Sequence, residues 1–226
     1  MTSLSDLNLD TVAREIAETP PPPKPSPELV AKAGAYLERR GWTKAVAGDV
    51  DFAAASRALA MCSVQGCGIH VYGKYGCGKT AFARAIMPLF RPVHFVPLND
   101  PECAALMNLD LWPNWNADAK RCSVILDDLG AESAVTDFGI KRELAAEFIV
   151  RYHREGDGRL FVTTNLEGEE LAARYTARLT SRLKDMCVYL RLQGADKRHW
   201  EKATEPKQLS QFINSENPSR AEGGAA

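Results

Sequence analysis

Eight consecutive residues, Gly73 to Thr80, have the composition and spacing of a loop that holds phosphate groups. They read GKYGCGKT, which fits GxxxxGK[ST] at every fixed position. The glycines let backbone N–H groups turn inward around an anion, because a Cβ would obstruct the approach. Lys79 can then reach the β- and γ-phosphates, and the Thr80 hydroxyl can bind Mg²⁺. We therefore predict ATP and Mg²⁺ as ligands, and as binding residues Gly73, Lys74, Tyr75, Gly76, Cys77, Gly78, Lys79 and Thr80.

Two carboxylates, Asp127 and Asp128, directly follow the apolar run Val124–Leu126, which is typical of a buried strand. Ligands bind at the carboxyl ends of parallel strands, so both acids are expected to face the phosphate loop. We predict that Asp127 contacts Mg²⁺ mostly through water, and that Thr80 and Asp127 form the metal site. Asp128 is then placed to polarise the attacking water.

Asn165 ends another apolar strand pattern, LFVTTN. Its amide can hold the attacking water or the γ-phosphate, or it can simply form a turn. Arg174, Arg178 and Arg182 follow at a spacing of four, so on one continuous helix they would share a face. That face is either solvated or supplies an arginine to the phosphates of a neighbouring subunit. Arg198 is a further candidate phosphate contact.

Strand and helix patterns alternate from residue 68 onward, which predicts an α/β fold with a parallel sheet covered on both faces. The predicted strands are 68–73, 92–98, 122–128, 160–165 and 187–192. Predicted helices between them cover about 81–89, 136–154 and 169–185, and two earlier helices cover about 26–41 and 51–61.

These patterns divide the chain into four parts. Residues 1–25 are a flexible segment that carries a short amphipathic stretch, Leu9–Ala17, ahead of the proline-rich spacer PPPPKPSP. The stretch is expected to bind in a groove of a partner, or to be a frayed terminus. Residues 26–64 form a helical extension, 65–200 the nucleotide-binding core, and 201–226 a polar tail expected to be disordered.

Composition excludes several classes of protein. The 226 residues carry a net charge of −1, so any contact with single-stranded DNA is expected to be weak, local or dependent on assembly. The six cysteines are scattered without metal-ligand spacing. There is no apolar run of about 18 residues and no signal-peptide pattern, so we expect a cytoplasmic protein without membrane contact.

Three further stretches, together with the phosphate loop, resemble one family. These stretches are LDDLGAE (126–132), TTNL (163–166) followed by ELAARYTARLTSRL (170–183), and QGADKR (193–198). Together they resemble the bacterial and phage helicase loaders of the DnaC/DnaI type and their transposition relatives of the IstB type. The resemblance covers roughly residues 65–200.

The resemblance implies an AAA+ P-loop fold with strand order 5-1-4-3-2 and a reduced or absent lid. It implies that Asp127 and Asp128 are the Walker B pair, Asn165 is sensor 1 and Arg198 is sensor 2. The arginine finger would be Arg182, with Arg178 as the second choice, so self-assembly would complete the site.

Three departures from the family pattern bear on function. Asp128 stands where many relatives have glutamate, and Thr176 replaces the glycine of RYG. A proline spacer and short helical segments stand where the loaders carry a folded helicase-binding domain. The resemblance implies a slow, assembly-dependent ATPase that loads a replicative helicase in DNA replication. Two alternatives stay open, an IstB-like transposition helper and an ATP-bound regulatory adaptor with negligible turnover.

Overall fold

The computed structural model describes residues 22–100, 122–137 and 140–196. The segment Leu9–Ala17, Arg198 and the tail 201–226 therefore lie outside the described residues, as does any lid after the last strand. Among the helices that are described, none is both long and apolar enough to cross a bilayer.

Three helices precede the first strand, and their ends follow from local sequence. Helix α1 begins after Ser26, whose hydroxyl accepts a hydrogen bond from Leu29 N at 3.2 Å. The third helix ends at Gly66, which adopts the left-handed conformation with φ 69°. The bounds are α1 Pro27–Arg39, α2 Lys44–Ala47 and α3 Asp49–Gln65.

The main sheet has five parallel strands, β1 Gly68–Gly73, β2 Val93–Pro97, β3 Ser123–Leu129, β6 Leu160–Thr164 and β7 Cys187–Leu192. Their order is β2-β3-β6-β1-β7. Since these are the five predicted strands, the predicted order 5-1-4-3-2 and the parallel α/β fold are confirmed. All pairs run parallel, so every strand has its carboxyl end at the same edge.

Helices cover both faces of this sheet, as predicted. Alternate residues of each strand point to opposite faces, so Ile125 and Phe161 join one core while Leu126 and Val162 join the other. The first core is shared with α1, α3 and α4 (Lys79–Ile86), which a 3₁₀ turn, Met87–Phe90, extends. The second is shared with α5 (Leu144–Glu155), α6 (Gly168–Tyr175) and α7 (Ala177–Met186).

The helix predicted from residue 136 was wrong over its first part. Strands β4 (Val135–Asp137) and β5 (Ile140–Arg142) pair antiparallel there, and α5 begins only at Leu144. Valine, threonine and isoleucine are β-branched and favour strands, and two residues separate the pair, a common hairpin length. The helical spacing of apolar residues reflects the core only from Leu144 onward.

Candidate functional site

The loop between β1 and α4 has the backbone conformation that its glycines permit. Gly73, Gly76 and Gly78 have φ angles of 152°, 76° and 97°, which residues with a Cβ rarely adopt. A Cβ on Gly73 would lie 2.2 Å from Leu192 O, so neighbouring backbone also leaves no room there. The loop therefore needs glycine for both conformation and space, in agreement with the motif.

Lys79 folds back over this loop. Its ammonium donates hydrogen bonds to Gly73 O at 2.9 Å and Lys74 O at 2.8 Å, and the residue is only 5% exposed. These carbonyls hold a buried cation at the centre of the loop. The ammonium of Lys79 is therefore already positioned at the loop where a phosphate group would bind. Cys77 lies beside it and is buried. Burial raises the pKa of its thiol, so the thiol stays protonated and is a poor nucleophile.

The carboxylate of Asp127 links three elements at the carboxyl edge of the sheet. Its Oδ1 accepts hydrogen bonds from the hydroxyl of Thr80 at 3.1 Å and from that of Thr163 at 2.6 Å. Asp127 is 4% exposed, so it is held rigidly next to the phosphate loop. A carboxylate and a hydroxyl that share one position are oxygen ligands of the kind that Mg²⁺ prefers. The predicted metal pair, Thr80 and Asp127, is therefore brought together.

Asp128 is held in a different orientation by a kink in β3. The register with β6 shifts between Leu126 and Leu129, and Asp128 has a φ of 61°. Its backbone N–H donates to Thr163 Oγ1 at 2.9 Å, and its carboxylate accepts from Asn99 Nδ2 at 3.3 Å. The kink turns the second carboxylate away from the first, so that Asp127 can face a metal while Asp128 faces a different group.

Asn165 directly follows the last residue of β6. Tyr72 pairs with Thr164, so Asn165 continues the register beside Gly73, the first residue of the loop. It is half-buried at this edge. Asp127 and Asp128 lie near the carboxyl end of the adjacent strand β3, and β6 lies between β3 and β1, so it places the amide between the loop and the acids.

Thr163 and Asp51 take part in this site, and sequence patterns did not single them out. The Thr163 hydroxyl joins both aspartates, as described above. Oδ2 of Asp51, on α3, accepts hydrogen bonds from Gln193 N at 2.9 Å and from Gly194 N at 2.8 Å. These bonds hold the segment after β7 against the phosphate loop, where a Cβ on Gly76 would collide with Asp196. The strand-end DD and TTN patterns were signals for Thr163, whereas nothing local marked Asp51.

The three arginines at spacing four do not lie on one helix, so that expectation was wrong. The chain breaks at Thr176, with φ 93° and ψ 154°, between α6 and α7. Arg174 on α6 donates to Glu132 O at 2.5 Å and lies 3.9 Å from a carboxylate oxygen of Glu143. It is thus a structural side chain of the loop after β3. Arg178 and Arg182 remain together on α7.

Glu132 fastens that loop to α6. The residue is 7% exposed, and its carboxylate accepts hydrogen bonds from the Tyr175 hydroxyl and, at 2.9 Å, from Gly130 N. Burial and this carboxylate raise the pKa of Tyr175, so the phenol stays protonated and remains a donor. The loop after the two acids is therefore fixed to the helix pair that carries Arg178 and Arg182.

Arg182, the first choice for an arginine finger, is half-exposed. Its guanidinium lies 3.6 Å from Asp185 one turn further along α7. A partly solvated arginine with one surface ion pair can change partners at small cost, since such pairs contribute little. Arg178 is exposed on the preceding turn. Arg198 lies just past the described segment that ends at Asp196.

Comparison with known proteins gives matches to solved structures alone. No protein-family model and no curated protein matches this chain. NtrX from Brucella abortus in complex with ADP is 15% identical, with a TM-score of 0.45, over 90% of this chain and 45% of that chain. Domain III of the replication initiation protein DnaA from Thermotoga maritima is 16% identical, with a TM-score of 0.44, over 75% of this chain and 72% of that chain.

NtrX in complex with ATP gives similar values, 15% identity and a TM-score of 0.43, over 90% of this chain and 46% of that chain. This chain thus spans less than half the length of either NtrX chain. The fold assignment rests on the strand order and on the geometry of the loop.

Proposed function

We propose that this chain binds ATP with Mg²⁺ on Gly73–Thr80, hydrolyses it slowly, and serves as a loader of a replicative helicase. The observation that carries the nucleotide proposal is the joint placement of Lys79, Thr80 and Asp127. A buried ammonium on glycine-loop carbonyls and a carboxylate 3.1 Å from the Thr80 hydroxyl are brought to one edge of the sheet. The ammonium can bind phosphate oxygens, and the carboxylate can bind the metal ion that accompanies the phosphates.

Binding would use groups that the loop and α4 bring to one place. Backbone N–H groups at Gly76 and Gly78 can turn toward an anion because these residues tolerate positive φ. The N-terminus of α4 adds its positive dipole end at the same place. Lys79 can exchange its loop carbonyls for phosphate oxygens. Bound Mg²⁺ would offset the charge of the phosphates, with Thr80 and Asp127 holding it directly or through water.

Hydrolysis would depend on Asp128 and Asn165. Asp128 can accept a proton from, or orient, a water molecule near the γ-phosphate, while Asn165 fixes that water or the phosphate by its amide. Aspartate is one methylene shorter than the glutamate of many relatives, so we expect slow turnover. Arg182 of one subunit would stabilise the charge that develops in the site of the next.

The loader role is supported by the family resemblance of TTNL and RYTARLTSRL. A replicative helicase and single-stranded DNA are the proposed partners. A pull-down from the native host distinguishes the alternatives, because capture of a transposase instead of a helicase would favour the transposition helper. ATP turnover that stays negligible with and without DNA and helicase would favour the regulatory adaptor.

The nucleotide proposal is tested by Lys79→Ala, with Lys184→Ala on α7 as an exposed control. We expect ATP affinity measured by calorimetry to fall below detection in Lys79→Ala, because the cation that faces the phosphates is removed. The control should bind as wild type does. Circular dichroism checks that both variants keep the fold. Unchanged ATP affinity in a folded Lys79→Ala protein would refute the assignment.

A further inference from the structure

A second cavity lies at the opposite edge of the sheet from the phosphate loop. Its volume is about 540 Å³, and it reaches Pro92 and Ser123 at the starts of β2 and β3 and Arg159 just before β6. The phosphate loop follows the carboxyl end of β1, so the cavity is remote from the nucleotide site. We call it the α1 cavity, because five residues on one face of α1, at positions 29, 32, 33, 36 and 39, line it.

The floor of the α1 cavity is apolar. It is lined by Leu29 and Ala33 from α1, by Leu59 and Ala60 from α3, and by Phe90. Leu89, which also lines the cavity, is an exposed leucine, at 46%. An apolar floor of this kind favours an occupant that contributes aliphatic side chains.

The rim of the cavity is basic. No acidic residue is among the described residues that line it. Four cationic residues do line it: Lys32, Arg39, Arg91 and Arg159. Lys32 pairs with Glu28 at 2.7 Å, and Arg159 donates to Cys62 O at 3.2 Å. Arg39 and Arg91 are exposed and make no ion pair within the described part of the chain. The lining of the cavity is thus locally basic in a chain whose net charge is −1.

The chain itself contains a segment of matching chemistry. Residues 1–19 carry four acidic side chains against the single base Arg14, and an aliphatic stripe at Leu9, Val12 and Ile16. The segment joins the described chain near the cavity, since that chain begins at residue 22 and α1, which begins at Pro27, lines the cavity from Leu29 onward. Only residues 20 and 21 separate the segment from the described chain, and a proline-rich connection extends by about 3 Å per residue, so the segment is tethered close to α1.

Nucleic acid fits the same cavity less well. Base stacking needs a free aromatic face, but Arg159 lies over the Phe90 ring at 5.2 Å and Phe161 lies against it at 4.5 Å. The Tyr36 hydroxyl is directed to Ala85 O at 3.3 Å. We therefore propose that the acidic amphipathic segment 1–19 binds in the α1 cavity of its own chain, with Arg39 and Arg91 facing its carboxylates. A partner that binds the same aliphatic stripe must first displace the segment from the α1 cavity.

Tryptic cleavage of the full chain after Arg14 measures this docking. Lys24 precedes a proline and resists trypsin, so Arg14 is the cleavable site before Lys32. A tether supplies an effective concentration of about 1 mM, and an affinity of about 0.1 mM would then protect Arg14 roughly tenfold. We expect Arg39→Glu with Arg91→Glu to raise the cleavage rate about tenfold. Arg57→Glu with Lys184→Glu, two exposed residues outside the cavity, should leave the rate unchanged.

A second pair of substitutions does not touch the folded core. Asp6→Asn with Asp10→Asn should also speed cleavage, and combining both pairs should add little, since each breaks the same contact. Equal rates in all these proteins would overturn the proposal. Protection that grows with protein concentration would assign the segment to the cavity of another copy and overturn docking in cis. Loss of oligo(dT) binding in the cavity variant, with cleavage unchanged, would assign the cavity to nucleic acid.

Discussion

At the scale of single residues, one hydroxyl organises the acidic end of the candidate site. Thr163 Oγ1 donates to Asp127 Oδ1 at 2.6 Å and accepts from Asp128 N at 2.9 Å. It thereby fixes the carboxylate proposed for the metal and the backbone that orients the carboxylate proposed for water. Thr163, which in the sequence is only one residue of a strand pattern, thus positions both aspartates.

Thr163→Val removes this hydroxyl while keeping the shape of the side chain. Hydrogen bonds to charged groups contribute about 1.5–3 kcal/mol, so we expect ATP turnover to fall about tenfold or more. ATP affinity in the absence of Mg²⁺ should change little, because Lys79 is untouched. Thr180→Val, whose hydroxyl donates to Ala177 O within one helix, is the control. Equal turnover in the two variants would contradict the role of Thr163.

His70 is a buried residue whose titration should affect stability. It is 2% exposed, both ring nitrogens lack a hydrogen-bond partner among the described residues, and its ring packs at 4.8 Å from that of Tyr189. Burial lowers the pKa of His70 to about 4, whereas an unfolded histidine titrates near 6.5. Between these values the unfolded chain binds more protons, so the free energy of unfolding must fall as the pH falls.

We expect this loss to begin near pH 6.5, to reach about 3 kcal/mol near pH 4, and to level off below it. His70→Phe should flatten that part of the pH dependence, since phenylalanine fits an aromatic environment and carries no proton. Urea unfolding of both proteins from pH 7 to pH 4 measures the difference. Parallel stability curves would show that His70 does not contribute.

At the scale of elements, the break between α6 and α7 decides where the arginines lie. Thr176 has φ 93° and ψ 154°, a region occupied almost solely by glycine, and the family pattern has glycine at this position. The break at Thr176 places Arg174, which holds the loop after β3, on a different helix from Arg178 and Arg182. A continuous helix would have placed all three on one face.

Thr176→Gly should therefore stabilise the protein. Relief of the strained conformation gains about 1–3 kcal/mol, part of which the greater freedom of glycine in the unfolded chain offsets. We expect a net gain of about 1 kcal/mol, measured as a rise in the melting temperature. Thr180→Gly, inside α7, should instead lower stability, because glycine is a poor helix former. A lower melting temperature for Thr176→Gly would contradict the strain.

At the scale of the whole molecule, the proposed arginine finger would act on the nucleotide of a second copy. Arg182 lies on α7 with its side chain 36% exposed, where it pairs with Asp185. In the proposed arrangement a neighbouring subunit supplies this arginine, so we expect turnover to rise more than linearly with protein concentration.

Mixing two inactive variants tests this arrangement. Arg182→Ala lacks the finger and Asp128→Asn lacks the group that orients water, so each alone should show almost no turnover. In a mixture, some interfaces join an intact finger to an intact acidic site, and a fraction of wild-type activity should return. Wild-type activity without any recovery in the mixture would rule out Arg182 as a finger supplied in trans.

Sequence by itself predicted the glycine-rich loop, the two acids near the end of β3 and the five strands of the sheet. Each is a contiguous pattern, because a phosphate cradle and a buried strand are built from neighbouring residues. It also predicted the strand order, through the resemblance of several such patterns to one family.

Only the tertiary structure decided which distant side chains complete the site. Asp51 and Gln193 are 142 residues apart, and Thr163 and Asp127 are 36 apart, so their hydrogen bonds exist only once the sheet and α3 have packed. The hairpin at β4–β5 and the break at Thr176 were missed for a related reason. The spacing of apolar residues indicates which side chains face a core. It does not indicate where a helix breaks or where the backbone turns.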